Sequence, residues 1–224
     1  MIENSNPIQD VGTNKSIYSK TFIWMFLGLL ATGIVSIFTY FSGFTQNFIE
    51  IWPILAIVEI IVVIVFSLLI KKLPPLAVAI LFFIYAIVNG ITLSTIFAVF
   101  ELSSIIIVFF ASSAIFGLCA LYGYFTKGDL SKLGTIFMIT LIVGVIVSII
   151  NLFLNNSIVD IVLNWVILLV FFGVTAWDMQ KVKLIAQSEE GKDDRMAIYC
   201  AMDLYLDFIN IFIRLLNIFG SRRD

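Results

Sequence analysis

Asp203, Asp207, Asn210 and Arg214 lie four, three and four residues apart within the apolar run 196–219. On a helix turning about 100° per residue they share one narrow stripe, with Leu, Phe and Ile covering the rest. A carboxylate in hydrocarbon is costly, so this stripe should face protein or water, and an ionisable group at that depth marks a functional site by default. Asp207 is 11 residues past Met196, about 16 Å along a helix, which places it near mid-membrane. Asp203 is one turn shallower. Asp178 closes the preceding apolar run and has two readings: an interfacial carboxylate beside Lys181 at i+3, or a third member of the site.

Carboxylates that share a site repel when both are ionised, so they titrate in coupled steps. Charged, the same groups can hold a hard cation such as Ca²⁺ through oxygen ligands. The pair is thus a candidate proton sensor and cation site at once. Histidine is absent from the chain, which excludes His-ligated zinc or haem and any Ser-His or Cys-His nucleophile. A pH response near neutrality must then come from something other than histidine, with perturbed carboxylates the first candidates. Two aspartates on neighbouring spans also describe an intramembrane aspartyl protease, but the Gly-x-Gly-Asp that lets backbone and substrate approach closely is missing around Tyr205-Leu-Asp207. No catalytic role is expected. Glu59, within the second span, reads either as an interior hydrogen bond between helices or as the outer mouth of a pathway. Asn89-Gly-Ile-Thr-Leu-Ser94 supplies small and hydrogen-bonding residues suited to close helix packing. Cys119 and Cys200 both fall in apolar runs and read as packing thiols.

The elements that position these groups follow from composition. Of 224 residues, 61% are hydrophobic and 12% charged, against about 45–50% and about 25% in soluble domains. Apolar runs of spanning length, about 20 residues each, fall near 22–41, 52–70, 75–98, 103–125, 133–154, 159–181 and 196–219. They are continuous rather than alternating, which argues against a membrane barrel. The expectation is an all-α integral membrane protein: a polar, mobile tail over 1–21, one transmembrane domain over 22–220, and a short tail over 221–224. Tyr18, Trp24, Trp52, Tyr122 and Tyr124 read as an interfacial aromatic belt.

Basic residues alternate between connections. Lys15 and Lys20 precede the first run, Lys71 and Lys72 fill the second loop, Lys127 and Lys132 the fourth, and Lys181, Lys183, Lys192 and Arg195 mark the sixth. The positive-inside preference then places the N-terminus in the cytoplasm. Seven full spans would leave Arg222 and Arg223 outside, against that preference, so the last run either spans or re-enters. The sixth loop, 182–195, is expected to be cytoplasmic and mobile from its Glu-Glu-Gly-Lys-Asp-Asp-Arg composition. There is no basic tract to follow a phosphate backbone, so nucleic acid is not an expected partner.

Four stretches resemble the Bax inhibitor-1 family: Asp203-Leu-Tyr-Leu-Asp207-Phe-Ile-Asn210 with Leu215-Leu-Asn-Ile-Phe-Gly220, Gly173-Val-Thr-Ala-Trp-Asp178-Met-Gln-Lys181, Leu121-Tyr-Gly-Tyr-Phe-Thr-Lys127 running on to Gly134, and Asn89 to Ser94. The resemblance covers nearly the whole chain after the tail. It implies a seven-transmembrane-helix bundle with six helices around a central, partly polar C-terminal helix, in a bacterial inner membrane. It implies a pH-sensitive calcium leak, with protons and Ca²⁺ acting at an aspartate pair that by motif is Asp178 and Asp207, and no tightly bound cofactor. Asp203 matches a position that is often acidic. Some bacterial relatives instead associate with and modulate a membrane protease. A basic residue near the end of the second helix closes the pair in some members; here Lys71 and Lys72 stand there, and Arg214 lies one turn from where a relative carries its basic residue.

Overall fold

The computed structural model describes residues 15–49 and 51–223. The mobility expected of the tail concerns residues that for the most part lie outside that range, as does the side chain of Trp52. Seven long helices build the molecule: α1 (Ser16–Phe41), α3 (Trp52–Leu69), α4 (Pro75–Leu93), α6 (Leu102–Phe125), α7 (Ser131–Leu154), α8 (Ser157–Ala186) and α9 (Asp194–Phe219). Two short helices, α2 (Thr45–Ile49) and α5 (Ile96–Val99), lie in connections. Six of the long helices are long and apolar enough to cross a membrane, and α3 adds the apolar stretch Ile57–Leu69. The chain is a helical membrane bundle.

α1 begins at Ser16, six residues ahead of the expected start, because Ile17 and Thr21 already pack into the core. The third run breaks where Ser94 Oγ and Thr95 Oγ1 donate to the carbonyls of Ile91 and Thr92. Such back-bonding competes with the helical ladder and bends it. α7 ends on Asn155 at φ 50°, a left-handed conformation that asparagine tolerates among non-glycine residues. Asn156 then caps α8 by accepting from the amides of Ile158 and Val159.

α9 is the axis. It packs against α1, α4, α6 and α8, while α3 leans chiefly on α4 and α7 on α8. The resemblance implied six helices around the last one; four are in principal contact with it and two are outriders. Most of α9 is buried, and most of α7 faces outward. Close approach makes the α6–α8–α7 side tight: a Cβ on Gly123 would collide with the Ala176 backbone, and one on Gly134 with the Trp177 ring.

α9 runs from one end of the bundle to the other. At its start Asp194 pairs with Lys20 at 2.6 Å, beside the first turn of α1. Past its end, Glu101 N donates to Ser221 O, Arg223 N donates to Val99 O, and Arg223 Nη1 donates to Tyr40 Oη at 2.6 Å. Tyr40 lies in the last turn of α1, so α9 runs the full length of α1 and is long and apolar enough to span with it. The sixth loop is not a loose segment either. α8 continues to Ala186, a 3-10 turn covers Glu189–Lys192, and Asp193 caps α9. Lys71 pairs with Glu190 at 3.1 Å, and Arg195 Nη1 donates to the carbonyls of Lys71 and Leu73. The charged composition that suggested mobility is spent on these contacts.

Candidate functional site

Asp178 on α8 and Asp207 on α9 are both buried, 6% and 2% exposed. Asp203 is half-buried one helical turn from Asp207 on the same face. The group that ties the two helices together is Lys181. Its Nζ lies 2.8 Å from Asp178 Oδ1 and 2.7 Å from Asp203 Oδ2, donating a hydrogen bond to the latter. The ammonium also sits 4.8 Å above the Trp177 ring and 5.4 Å above Tyr199, so aromatic faces complete its cage.

Asp207 stays outside that bridge. Its Oδ2 is buried and has no hydrogen-bond partner. Thr175, in the facing turn of α8, spends its hydroxyl hydrogen on Phe171 O at 2.7 Å. Three carboxylates therefore face one ammonium in a region of low dielectric. That imbalance can be relieved by taking up a proton, admitting a cation or moving the helices apart. Among the described residues no group of three or more His, Cys, Asp or Glu side chains is arranged to hold a metal ion. Lys181 stands between Asp178 and Asp203, where a cation would have to compete with it.

The other site residues fall elsewhere. Lys71 and Lys72 are exposed at the end of the bundle, and Lys71 is engaged with Glu190, so neither closes the aspartate cluster. Arg214 donates to Asn164 Oδ1 at 2.9 Å across the α8–α9 interface, and its buried Nε has no partner. Asn210 turns back on its own helix to Leu206 O. The polar stripe of α9 is thus divided among three separate local arrangements.

Glu59 belongs to a second polar system. Asn89 Nδ2 donates to Glu59 Oε2 at 3.3 Å, Tyr205 Oη donates to Asn89 Oδ1 at 3.0 Å, and Tyr205 Oη and Thr32 Oγ1 share a hydrogen bond of 2.6 Å. Thr32 Oγ1 also reaches Ala86 O at 3.0 Å. The chain joins α3, α4, α9 and α1, which is the interior hydrogen bonding expected as one reading of Glu59. Sequence reasoning missed two residues. Lys181 was legible as the i+3 neighbour of Asp178, but its reach to Asp203 depends on how α8 and α9 pack. Tyr205 gave no signal beyond its place between the aspartates.

Comparison with known proteins agrees with this architecture. The profile of the family described as "Inhibitor of apoptosis-promoting Bax1" matches residues 14–224. The "Inner membrane protein YbhL" of Escherichia coli strain K12 is 36% identical over 215 residues, covering 92% of this chain and 91% of its own. A Rickettsia prowazekii protein is 35% identical over 92% of this chain and 89% of its own, and a Streptococcus pyogenes membrane protein 36% identical over 94% of each. The match reaches from the start of α1 through the α8–α9 aspartate cluster, and the chain is a member of the Bax inhibitor-1 family of membrane proteins.

Proposed function

We propose that the chain is a pH-sensitive cation leak protein of a bacterial inner membrane, passing Ca²⁺, and gated by coupled protonation of Asp178 and Asp207. The observation that carries this reading is the unpartnered Oδ2 of Asp207, buried one turn below the Lys181 bridge. A structural aspartate at that depth would have its lone pairs occupied, since an unmet buried acceptor costs about 1–3 kcal/mol. An aspartate that exchanges protons or cations must keep an oxygen available. Lys181 is the counter-charge, shared between Asp178 and Asp203: it holds Asp178 until the protonation state of the cluster changes, and Ca²⁺ competes with both protons and the ammonium for the carboxylates. The basic ends of α1, α8 and the α3–α4 and α6–α7 connections face the cytoplasm in this reading, in keeping with the positive-inside preference.

The test is Ca²⁺ flux into liposomes holding the purified protein alone, measured against pH. Wild type should show flux that varies with pH. Asp207→Asn and Asp178→Asn should flatten the profile, and Asp203→Asn should shift it less. Unchanged profiles in both Asp178→Asn and Asp207→Asn sink the reading. Flux no greater than that of empty vesicles at every pH would point instead to a protein that acts only on a partner such as a membrane protease.

A further inference from the structure

The aspartate cluster leaves unused a cleft of about 800 Å³ at the lysine-rich end of the bundle, between α1, α6 and α8. Its walls are apolar or aromatic, with Phe22, Phe116 and Leu121 among them, and Lys15 and Lys183 stand at its rim with Gln187. Among the described residues no carboxylate lines it. Among the described residues neither lysine has an acidic partner. Lys183 is held in place by neutral groups: its Nζ donates to Tyr124 O at 2.9 Å and lies 5.8 Å over the Tyr124 ring. A rim with two positive charges over an apolar floor fits an anionic amphiphile.

The cleft also continues in the direction an acyl chain needs. α1 and α6 each pack on α9 and leave a furrow between them. Tyr18 and Phe22 line the first cleft; one turn further on, Phe26 and Leu30 line a second of about 370 Å³, floored by Phe208 of α9. From Tyr18 to Leu30 is about 18 Å of helix at 1.5 Å per residue, close to half of the roughly 30 Å hydrocarbon core. That is the depth of one leaflet. Gly117 of the first cleft and Gly33 of the second both open onto empty space: a Cβ at either would meet nothing within 4 Å.

We infer that this furrow seats one acidic phospholipid, with its phosphate between Lys15 and Lys183 and its acyl chains running between α1 and α6. The inference is independent of ion permeation. Its test is native mass spectrometry of the detergent-purified full-length protein, titrated with phosphatidylglycerol or with phosphatidylcholine of the same chain length. Wild type should retain phosphatidylglycerol about thirtyfold better, the discrimination expected of two lysines near a membrane surface. Lys15→Gln with Lys183→Gln should bring it down to the phosphatidylcholine level, while Lys132→Gln, on the same end but outside the cleft, should not. Gly117→Leu plugs the furrow with the charges intact and should lose both lipids; replacing Gly also favours the helix, and a monodisperse elution profile confirms that the variant folds. Inorganic phosphate should not compete. Equal retention of the two lipids by wild type, phosphatidylglycerol retention unchanged in the double variant or in Gly117→Leu, or competition by phosphate overturns the proposal.

Discussion

Tyr205 and Asp207 stand two residues apart on α9, both almost fully buried, yet their surroundings treat polarity in opposite ways. The Tyr205 hydroxyl meets Thr32 and Asn89, and Asn89 passes the chain on to Glu59. Most of those groups are neutral, and the two helices that meet the Tyr205 hydroxyl, α1 and α4, each give it a partner; only Glu59 Oε1, at the far end, has none. On the other face Asp207 has an oxygen with no partner, and Asp178 and Asp203 share a single ammonium. The first arrangement fixes helices in one geometry, because each link is lost if α1, α4 or α9 shifts. The second is charged and incompletely met, and under the proposed function it is the part that a proton or cation alters. One helix thus carries a hydrogen-bonded fastening and an unbalanced charge cluster on opposite sides.

The sharpest way to break that contrast is Lys181→Met. It leaves Asp178 and Asp203 without a counter-ion, and removing one partner of a buried ion pair costs about 3–5 kcal/mol. With Lys181 partly exposed, the lower part of that range is expected, seen as a fall in thermal stability in detergent that is larger at pH 8 than at pH 5.5. Stability equal to wild type at both pH values would mean the lysine is not the counter-charge. Next in size is Tyr205→Phe. It leaves Asn89 Oδ1 without its donor and Thr32 with only the Ala86 carbonyl, at a cost of about 1–3 kcal/mol, and should lower stability equally at both pH values, leaving the pH profile of flux in place. A flattened profile in Tyr205→Phe would merge the two faces into one network.

The smallest effect provides a control from a carboxylate at the mouth of α9. Asp193 caps the helix, and hydrogen bonds from the Arg195 guanidinium hold its carboxyl below the usual range. A depressed folded-state value gives stability that is present above the unfolded value of about 3.9 and is lost only as pH falls through the folded one. Asp193→Ala should therefore cost about 1 kcal/mol by the same amount at pH 5.5 and pH 8. A cost that differs between those two values would show that Asp193 belongs with the titrating cluster.

The number and approximate position of the long helices were legible because hydrophobic length alone reports them. Which helix lies outside was not. In lipid, α7 needs no polar face, so an outrider such as Ile136 or Ile139 reads the same as a core residue. The break in the third run at Ser94 was also hidden, since Ser and Thr can remain in a helix or bend it, depending on which carbonyl they meet. At the site, the stripe of α9 correctly marked Asp203 and Asp207, but a stripe gives direction without distance. It grouped Asn210 and Arg214 with the aspartates, whereas Asn210 bonds its own helix and Arg214 turns to Asn164. The expected partners Lys71 and Lys72 were nearest in motif and not in space.

The axis of the bundle is also the helix made after every helix it packs against. α9 is the least apolar of the six clear spans, and it brings Asp203, Asp207 and Arg214 with it. During synthesis α1, α4, α6 and α8 enter the membrane before it, so Lys181 and Asp178 wait there with each other as partners and without Asp203. The unfilled slot then supplies a reason for α9 to leave the translocation machinery: its polar side chains find an ammonium and an asparagine already in place. Assembly order and membrane insertion thereby become one event, and a chain halted before Asp194 would hold a polar seam open to lipid along its centre.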